Sequence, residues 1–425
     1  MSVVKDPKPV SGSSPTPQLT NILETLNQNL RQSLQSLQSL GSPIQESLHN
    51  DSALPHPNDI KHAAETVDLL HKIRVILDPP TLILADHFLG YVQTKCLCAA
   101  VERGIPDTLE NGPMTLEQLA TRTNSQSDRL KQIMHTLIHN GIFRFDESSQ
   151  SYSNSPASLL LHSKHWTQWH NWVSLYGNQF YDIARGIPKS IEHGQKRWAA
   201  QINYNTDDSM FEYFRRSGWL PQLHKTLGGG ASAQMPGILE DYPWEEVADE
   251  IVMDVGGGGG GFLAGLLRKY PSMQGGLFDL PHVIEHARQS FEDGGQYSDL
   301  RNQVSDNNLV AGDFFESVPK CRVYTMKWCL HDWKDAQAIS ILSNIRKSII
   351  AGPKSRLIVL ESLCSENHSE RLSLYGDINM MMTTNGQERT EGEYRMLADS
   401  SGWEIEKVYD LRRAWVKALV FRPVS

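Results

Sequence analysis

The chain has no apolar run near the roughly 20 residues that a membrane-spanning helix needs, and its first residues carry no cleavable signal pattern. It has only five cysteines, Cys96, Cys98, Cys321, Cys329 and Cys364, an odd set without C-x-x-C spacing. Two of them lie in apolar segments, which suits reduced, buried thiols rather than a disulfide framework. Cations are in the minority, 40 basic against 49 acidic residues for a formal charge of −9, and no basic cluster is interleaved with aromatics. That excludes the usual footprint of a nucleic-acid binder. A soluble, cytoplasmic protein without a membrane partner is expected.

With 425 residues the chain is long enough for two domains and additional segments. Residues 1–18 are rich in Ser, Pro and Lys and read as disordered. From Leu19 to Leu40 the leucines at 19, 23, 26, 30, 34 and 37 recur every three or four positions on a Gln, Ser and Asn background, the pattern of an amphipathic helix. Pro43, Pro55 and Pro57 mark residues 41–58 as a linker. Two helical patterns follow from Asp59 to about Gly104, broken at Asp78-Pro79-Pro80. The stretch from Met114 then reads as helix, polar turn, helix from Ser127 to Asn140 stopped by Gly141, and two short strands, IFRF and SYSNS: a winged helix. Its second helix offers only Arg129 and Lys131 as cations, too few for a groove reader that must meet phosphates. A dimerising or substrate-shaping role fits better. Residues 156–225 are helical and aromatic, with Trp166, Trp169, Trp172, Tyr176, Phe180, Tyr181, Phe211, Tyr213, Phe214 and Trp219. Most of these rings belong in a core, and the sequence leaves open which of them line a pocket.

The central stretch is EIVMDVGGGGGGFLAGLLRKYPSMQGGLFDLPHVIEHA, residues 250–287. An apolar run ends in Asp254, six glycines follow, and Phe262, Leu263, Leu266 and Leu267 then share one helical face, so the order is strand, turn, helix. Six glycines satisfy G-x-G-x-x-G trivially, so the motif alone is a weak nucleotide signal. Asp254 just before the glycines would repel a pyrophosphate, whereas Asp279 at the end of the next strand is placed to take ribose hydroxyls. A ribose-bearing ligand that is not strongly anionic is implied. Strand and helix patterns alternate from there to SRLIVLES, and WEIEKVYDL and AWVKALVFR close the chain as a hairpin. The expected fold is therefore α/β, a Rossmann-like doubly wound, mainly parallel sheet with an antiparallel strand added. The divisions are 1–58 for the N-terminal tail, helix and linker, 59–225 for the helical winged-helix part and 226–425 for the ligand-binding part.

Ligands of such a sheet sit at the carboxyl ends of its strands. Asp254, Asp279, Asp313 and the segment Lys327–Asp332 all fall there. Asp313 with Phe314 can accept from an adenine amine and pack on its ring, or cap the following turn. In MKWCLHDW, His331 leaves the fourth strand at the ligand edge, with Asp332 adjacent and Asp335 capping the next helix. That location favours a general base over a satisfied core histidine. Glu361, ending the fifth strand, and Glu388 in NGQERTEGEY can hold the second nitrogen of the imidazole, and Met380, Met381 and Met382 offer an adaptable apolar surface beside them.

Together these motifs resemble the S-adenosylmethionine-dependent O-methyltransferases of the plant caffeate and flavonoid type, specifically their fungal secondary-metabolism relatives, from about Ile60 to Pro423. The resemblance implies a class I methyltransferase sheet behind an N-terminal winged-helix dimerisation domain. It implies that Gly256 and Gly258 line the methionine portion of S-adenosylmethionine, Asp279 holds the ribose, Asp313 and Phe314 the adenine, and Lys327 borders the cofactor, with Asp254 and Leu280 completing that site. It implies His331 as general base oriented by Glu361 and Glu388 with Asp332 beside them, Trp328 and Met380 near the acceptor, no metal, and a homodimer. Six glycines in a row and the N-terminal extension depart from the pattern. The expected reaction is methyl transfer to a phenolic or enolic hydroxyl of a small aromatic or polyketide-type molecule. Some fungal proteins of this fold keep the cofactor yet catalyse dehydration or pericyclic ring formation. In that class the basic histidine is often replaced, so an intact His331, Asp332, Glu361 and Glu388 set favours methyl transfer.

Overall fold

The computed structural model describes residues 16–424. The expectation for residues 1–15 lies outside that range. Pro17 and Gln18, expected to be disordered, open the first helix, Pro17–Leu40, because the first turn needs no donor from proline. Along it Leu19, Ile22, Leu30, Leu34, Leu37 and Leu40 are exposed. The expected linker is partly helical, Ser42–Leu48, for the same reason: Pro43 sits in the first turn, where its missing N–H is harmless. Next comes Pro57–Leu77, and the Pro79-Pro80 break holds. A second interruption at Leu89 divides the following segment into Pro80–Phe88 and Gly90–Glu102.

The winged-helix element forms as its sequence suggests. Helices Leu116–Arg122 and Ser127–His139 precede strands β1 (Phe143–Asp146) and β2 (Ser151–Asn154), which pair antiparallel. Leu119, Leu130, Met134, Leu137, Phe143 and Tyr152 form its core.

The main sheet contains β3 (Ile251–Val255), β4 (Gln274–Asp279), β5 (Val304–Ala311), β6 (Val323–Lys327), β7 (Arg356–Glu361), β8 (Trp403–Tyr409) and β9 (Lys417–Pro423). Their order across the sheet is β5-β4-β3-β6-β7-β9-β8. The first five strands run parallel; β9 pairs antiparallel with both β7 and β8. Helices cover both faces, as a parallel sheet requires. One core holds Trp244, Phe262, Leu263, Leu266, Leu267 and Ile284, the other Met326, Ile341, Leu342, Tyr394 and Trp403. Each fully buried aliphatic side chain contributes about 1.5–3 kcal/mol relative to exposure. The strand order reverses direction between β3 and β6, so the carboxyl ends of these two strands open the crevice in which ligands of this architecture bind. A 22-residue helix, Leu220–Asp241, runs through the expected boundary at 225–226. Among the described residues no helix is long and apolar enough to cross a membrane.

Candidate functional site

The turn after β3 begins the site. Gly256, Gly258 and Gly260 adopt φ of 71°, 57° and 82°, a conformation that side chains with a Cβ resist. Above Gly258 and Gly259 there is open space within 4 Å of where a Cβ would stand, so the backbone is approachable from outside. Asp254 lies below the loop: it is buried, Oδ1 accepts from the Thr325 hydroxyl at 2.9 Å, and Oδ2 would stand 2.4 Å from a Cβ at Gly257. Burial raises its pKa to about 7 against the opposing pull of Thr325 and Lys327. Asp254 thus supports the turn from inside.

Asp279 closes β4 on the open side. Its carboxylate accepts from the Gly258 N–H at 2.9 Å and from the Leu280 N–H at 2.7 Å, which ties the glycine turn to the next strand. Asp313 follows β5 and accepts from the Phe315 N–H at 2.8 Å, the turn-capping geometry anticipated as one of its two roles. Phe314 is half-buried, edge-on to Trp333 with ring centroids 6.0 Å apart. Lys327 ends β6 with its ammonium 4.5 Å from the Trp328 ring centroid; burial lowers its pKa, and Asp254 and Glu361 oppose that shift. These carboxylates beside an open glycine turn suit a ribose and a cationic sulfonium, so the residues present fit S-adenosylmethionine.

Trp328 ends β6 abruptly. Its φ of 50° turns the chain out of the sheet while its N–H still donates to the Leu360 carbonyl. The tight turn Leu330–Asp332 that follows holds His331, which is only 8% exposed. His331 Nδ1 is 2.9 Å from Glu388 Oε1 and 3.5 Å from Glu361 Oε2. Glu361 Oε1 accepts from the N–H groups of Cys329 and Leu330, both at 2.8 Å. The remaining oxygens, Glu361 Oε2 and Glu388 Oε2, are buried without a hydrogen-bond partner. Burial by itself would lower the imidazole pKa, but Glu361 and Glu388 outweigh it and hold it well above the ordinary histidine range. Burial moves Glu361 upward as well. Asp332 is less direct: its carboxyl interacts with the Thr384 hydroxyl, and burial raises its pKa. Asp335, expected as a helix cap, instead lies in the first turn of Asp335–Ser348 and accepts from Arg389 and Gln387.

A cavity of about 470 Å³ is bounded by Trp172, Tyr176, Phe180, Tyr181, Asn379 and Met382, among others, and none of its lining residues carries a charge. The helix supplying the rings widens into a π turn over Tyr176–Phe180, a feature frequent at functional sites. Burial, and then the nearby Glu388 carboxylate, push the Tyr176 phenol well above its ordinary pKa, so it stays neutral beside Glu388. Of the methionines, Met382 lines this cavity. Met380 lies half-buried on the same helix, Leu372–Thr383, and is not among the lining residues. Trp328 is likewise absent from the lining; it is linked to it by Trp415, whose ring centroid is 6.3 Å from Trp328 and 5.0 Å from Trp172. Trp415 lies between β8 and β9, more than 230 residues from Trp172 in sequence, and no local pattern marks it as part of this aromatic group.

The sheet order, the glycine turn and the carboxylate-bearing strand ends define a class I methyltransferase fold. The chain belongs to the O-methyltransferase family, whose members take their methyl group from S-adenosylmethionine: residues 166–404 match the O-methyltransferase domain and residues 85–164 the O-methyltransferase dimerisation domain. It is 54% identical to the O-methyltransferase aclM of Aspergillus oryzae over 410 residues, covering 95% of each chain. It is 47% identical to the O-methyltransferase verK of Clonostachys rogersoniana, covering 94% of this chain and 99% of the relative. Among solved structures, CalO1, a methyltransferase in calicheamicin biosynthesis determined with SAH bound, shares the fold at a TM-score of 0.70 and 24% identity, covering 81% of this chain and 98% of its own.

Proposed function

We propose that this O-methyltransferase methylates a phenolic or enolic hydroxyl of a small aromatic or polyketide-type secondary metabolite, with His331 as general base and without a metal. The observation that carries this reading is the His331 imidazole, fixed through Nδ1 by Glu388 at 2.9 Å at the carboxyl end of β6. With Nδ1–H donating to that carboxylate, Nε2 is the nitrogen available to a substrate hydroxyl. Gly256, Gly258, Asp279, Leu280, Asp313, Phe314 and Lys327 form the cofactor side, Asp254 acts from beneath the loop, and Met382 lines the acceptor region, with Met380 on the same helix and Trp328 joined to it through Trp415.

When bound, S-adenosylmethionine supplies a methyl group already activated by its sulfonium. The protein must align the acceptor oxygen and accept one proton. A phenol has a pKa of about 10 and an unperturbed histidine about 6.5. Glu361 and Glu388 reduce that mismatch by stabilising the imidazolium, so that proton transfer becomes close to balanced in energy. The open, aromatic-walled cleft, whose lining carries no charge, supports a flat acceptor that packs on its rings.

The dimerisation-domain match and the exposed Leu82, Leu84, Phe88 and Tyr91 support a homodimer. Residues 59–225 then form the dimerising and substrate-shaping part and 226–425 the catalytic part, with helix Leu220–Asp241 common to both. The five free cysteines suit a cytoplasmic setting. The test is His331→Ala. Turnover should fall by about 10²- to 10⁴-fold while S-adenosylhomocysteine binds within about twofold of the parent, measured by calorimetry. Unchanged turnover removes His331 from the mechanism. Substrate consumption without S-adenosylhomocysteine release would instead favour the cyclase chemistry.

A further inference from the structure

We infer that Arg389 is a positioning residue: it clamps the turn that carries His331 and, through its neighbour Glu388, keeps imidazole and carboxylate in register. The proposal rests on His331 being the base. Arg389 has no exposed surface although its ion-pair partner Asp335 is 63% exposed, so most of its hydrogen bonding is directed inward. Its Nη1 donates to the Leu330 carbonyl at 3.2 Å and its Nη2 to the Trp333 carbonyl at 2.6 Å. These two carbonyls bracket His331 and Asp332. Its Nε donates to Asp335 Oδ1 at 2.9 Å.

The adjoining backbone reinforces the clamp. Gln387 N–H donates to the His331 carbonyl at 2.7 Å, and Gly386 lies so close that a Cβ there would stand 2.1 Å from the same oxygen. The turn is therefore held from two sides, its N–H groups by Glu361 and its carbonyls by Arg389 and Gln387. On the far side, Thr390 caps helix Glu391–Ser400, its hydroxyl accepting from the Glu393 N–H and its N–H donating to the Glu393 carboxylate. A planar guanidinium can reach two carbonyls and a carboxylate at once; a lysine ammonium, a single point of charge, cannot reproduce that fork. Burying an arginine is expensive unless its donors are met. Here they are spent on the residues flanking the base, which a general fold-stabilising arginine would not require.

The experiment uses the full chain as Arg389→Lys, with nitrogen-15 histidine NMR read across a pH titration and His331→Ala supplying the assignment. Glu361, Glu388 and Asp332 are the acidic groups around the imidazole whose charge the titration senses. The expected result is a folded variant that binds S-adenosylhomocysteine within about twofold of the parent. Its His331 titration moves down toward the ordinary histidine range, and kcat falls on the order of 10- to 100-fold, as a displacement of about 1 Å would cause. A folded Arg389→Lys protein with the parent His331 titration and kcat overturns the proposal. Should that variant not fold, Asp335→Ala loosens the same clamp from its exposed end and should move His331 in the same direction by less; an unmoved His331 resonance there also overturns it. If His331→Ala itself retains turnover, the base assignment fails; if only Arg389→Lys retains it, the clamp alone fails.

Discussion

Replacing Glu388 by Gln keeps the shape of the side chain and an oxygen able to accept from His331 Nδ1, but removes one negative charge 2.9 Å from the imidazole. At that distance and an effective dielectric constant of about 20, the charge–charge attraction is roughly 6 kcal/mol. The glutamine dipole and local relaxation recover much of it. Hydrogen bonds to charged groups contribute about 1.5–3 kcal/mol net, so the chemical step should slow by roughly 10- to 200-fold. The sign of the pH effect is separate. Glu361 and Glu388 outweigh burial and hold the His331 imidazole above the ordinary histidine range, so kcat/KM climbs with pH as the imidazole loses its proton. In Glu388→Gln the histidine pKa falls, so the rising limb moves to lower pH while the plateau drops. The two profiles approach one another on the acid side and separate on the basic side. Single-turnover methyl transfer across a pH series, with S-adenosylhomocysteine affinity measured in parallel, reads both effects. An unmoved limb, or a loss that appears only in cofactor affinity, would refute the assignment of Glu388 to the imidazole.

Asp279→Ala removes the carboxylate that links Gly258 to Leu280 and that we propose holds the ribose; cofactor affinity should weaken by about 10- to 100-fold, at 1.5–3 kcal/mol for charged hydrogen bonds, as read by calorimetry, and unchanged affinity would exclude it. Asp254 carries a pKa raised from 3.8 to about 7 by burial. The folded state therefore holds its proton more tightly than the unfolded chain, and stability falls as pH rises from about 4 to 7. At about 1.4 kcal/mol per pKa unit the loss reaches at most about 4 kcal/mol. Asp254→Asn, which keeps an oxygen for the Thr325 hydroxyl, should flatten this dependence in denaturant titrations at pH 5 and pH 8; an equal slope in both proteins would show that Asp254 is not its source.

Several features were legible in the chain because they are local. The alternation of apolar runs and helical faces from residue 251 to 361 states a parallel sheet, since strands buried on both faces must be continuously apolar. The glycines after Val255 announce a turn that needs positive φ, and Asp279, Asp313, His331 and Glu361 reach the ligand edge because each follows a strand. The helix, turn, helix and two short strands between residues 116 and 154 were equally plain. Errors came where a local signal has two meanings. Proline punctuates a linker but also opens a helix, which is why residues 41–58 contain Ser42–Leu48.

Sequence by itself determined the class of fold and which carboxylates and which histidine stand at the carboxyl ends of their strands, because those depend on periodicity and on a residue's place relative to its own strand. Only the tertiary structure decided how these groups work together. It brought Thr325 of the neighbouring strand against Asp254 under the glycine turn. It brought Trp415 from the last hairpin against Trp172, and Arg389 beneath the turn of His331. The physical reason is range: these contacts join segments about 60 to 240 residues apart, and their energies depend on burial and distances of about 3 Å, which exist only after the chain has folded.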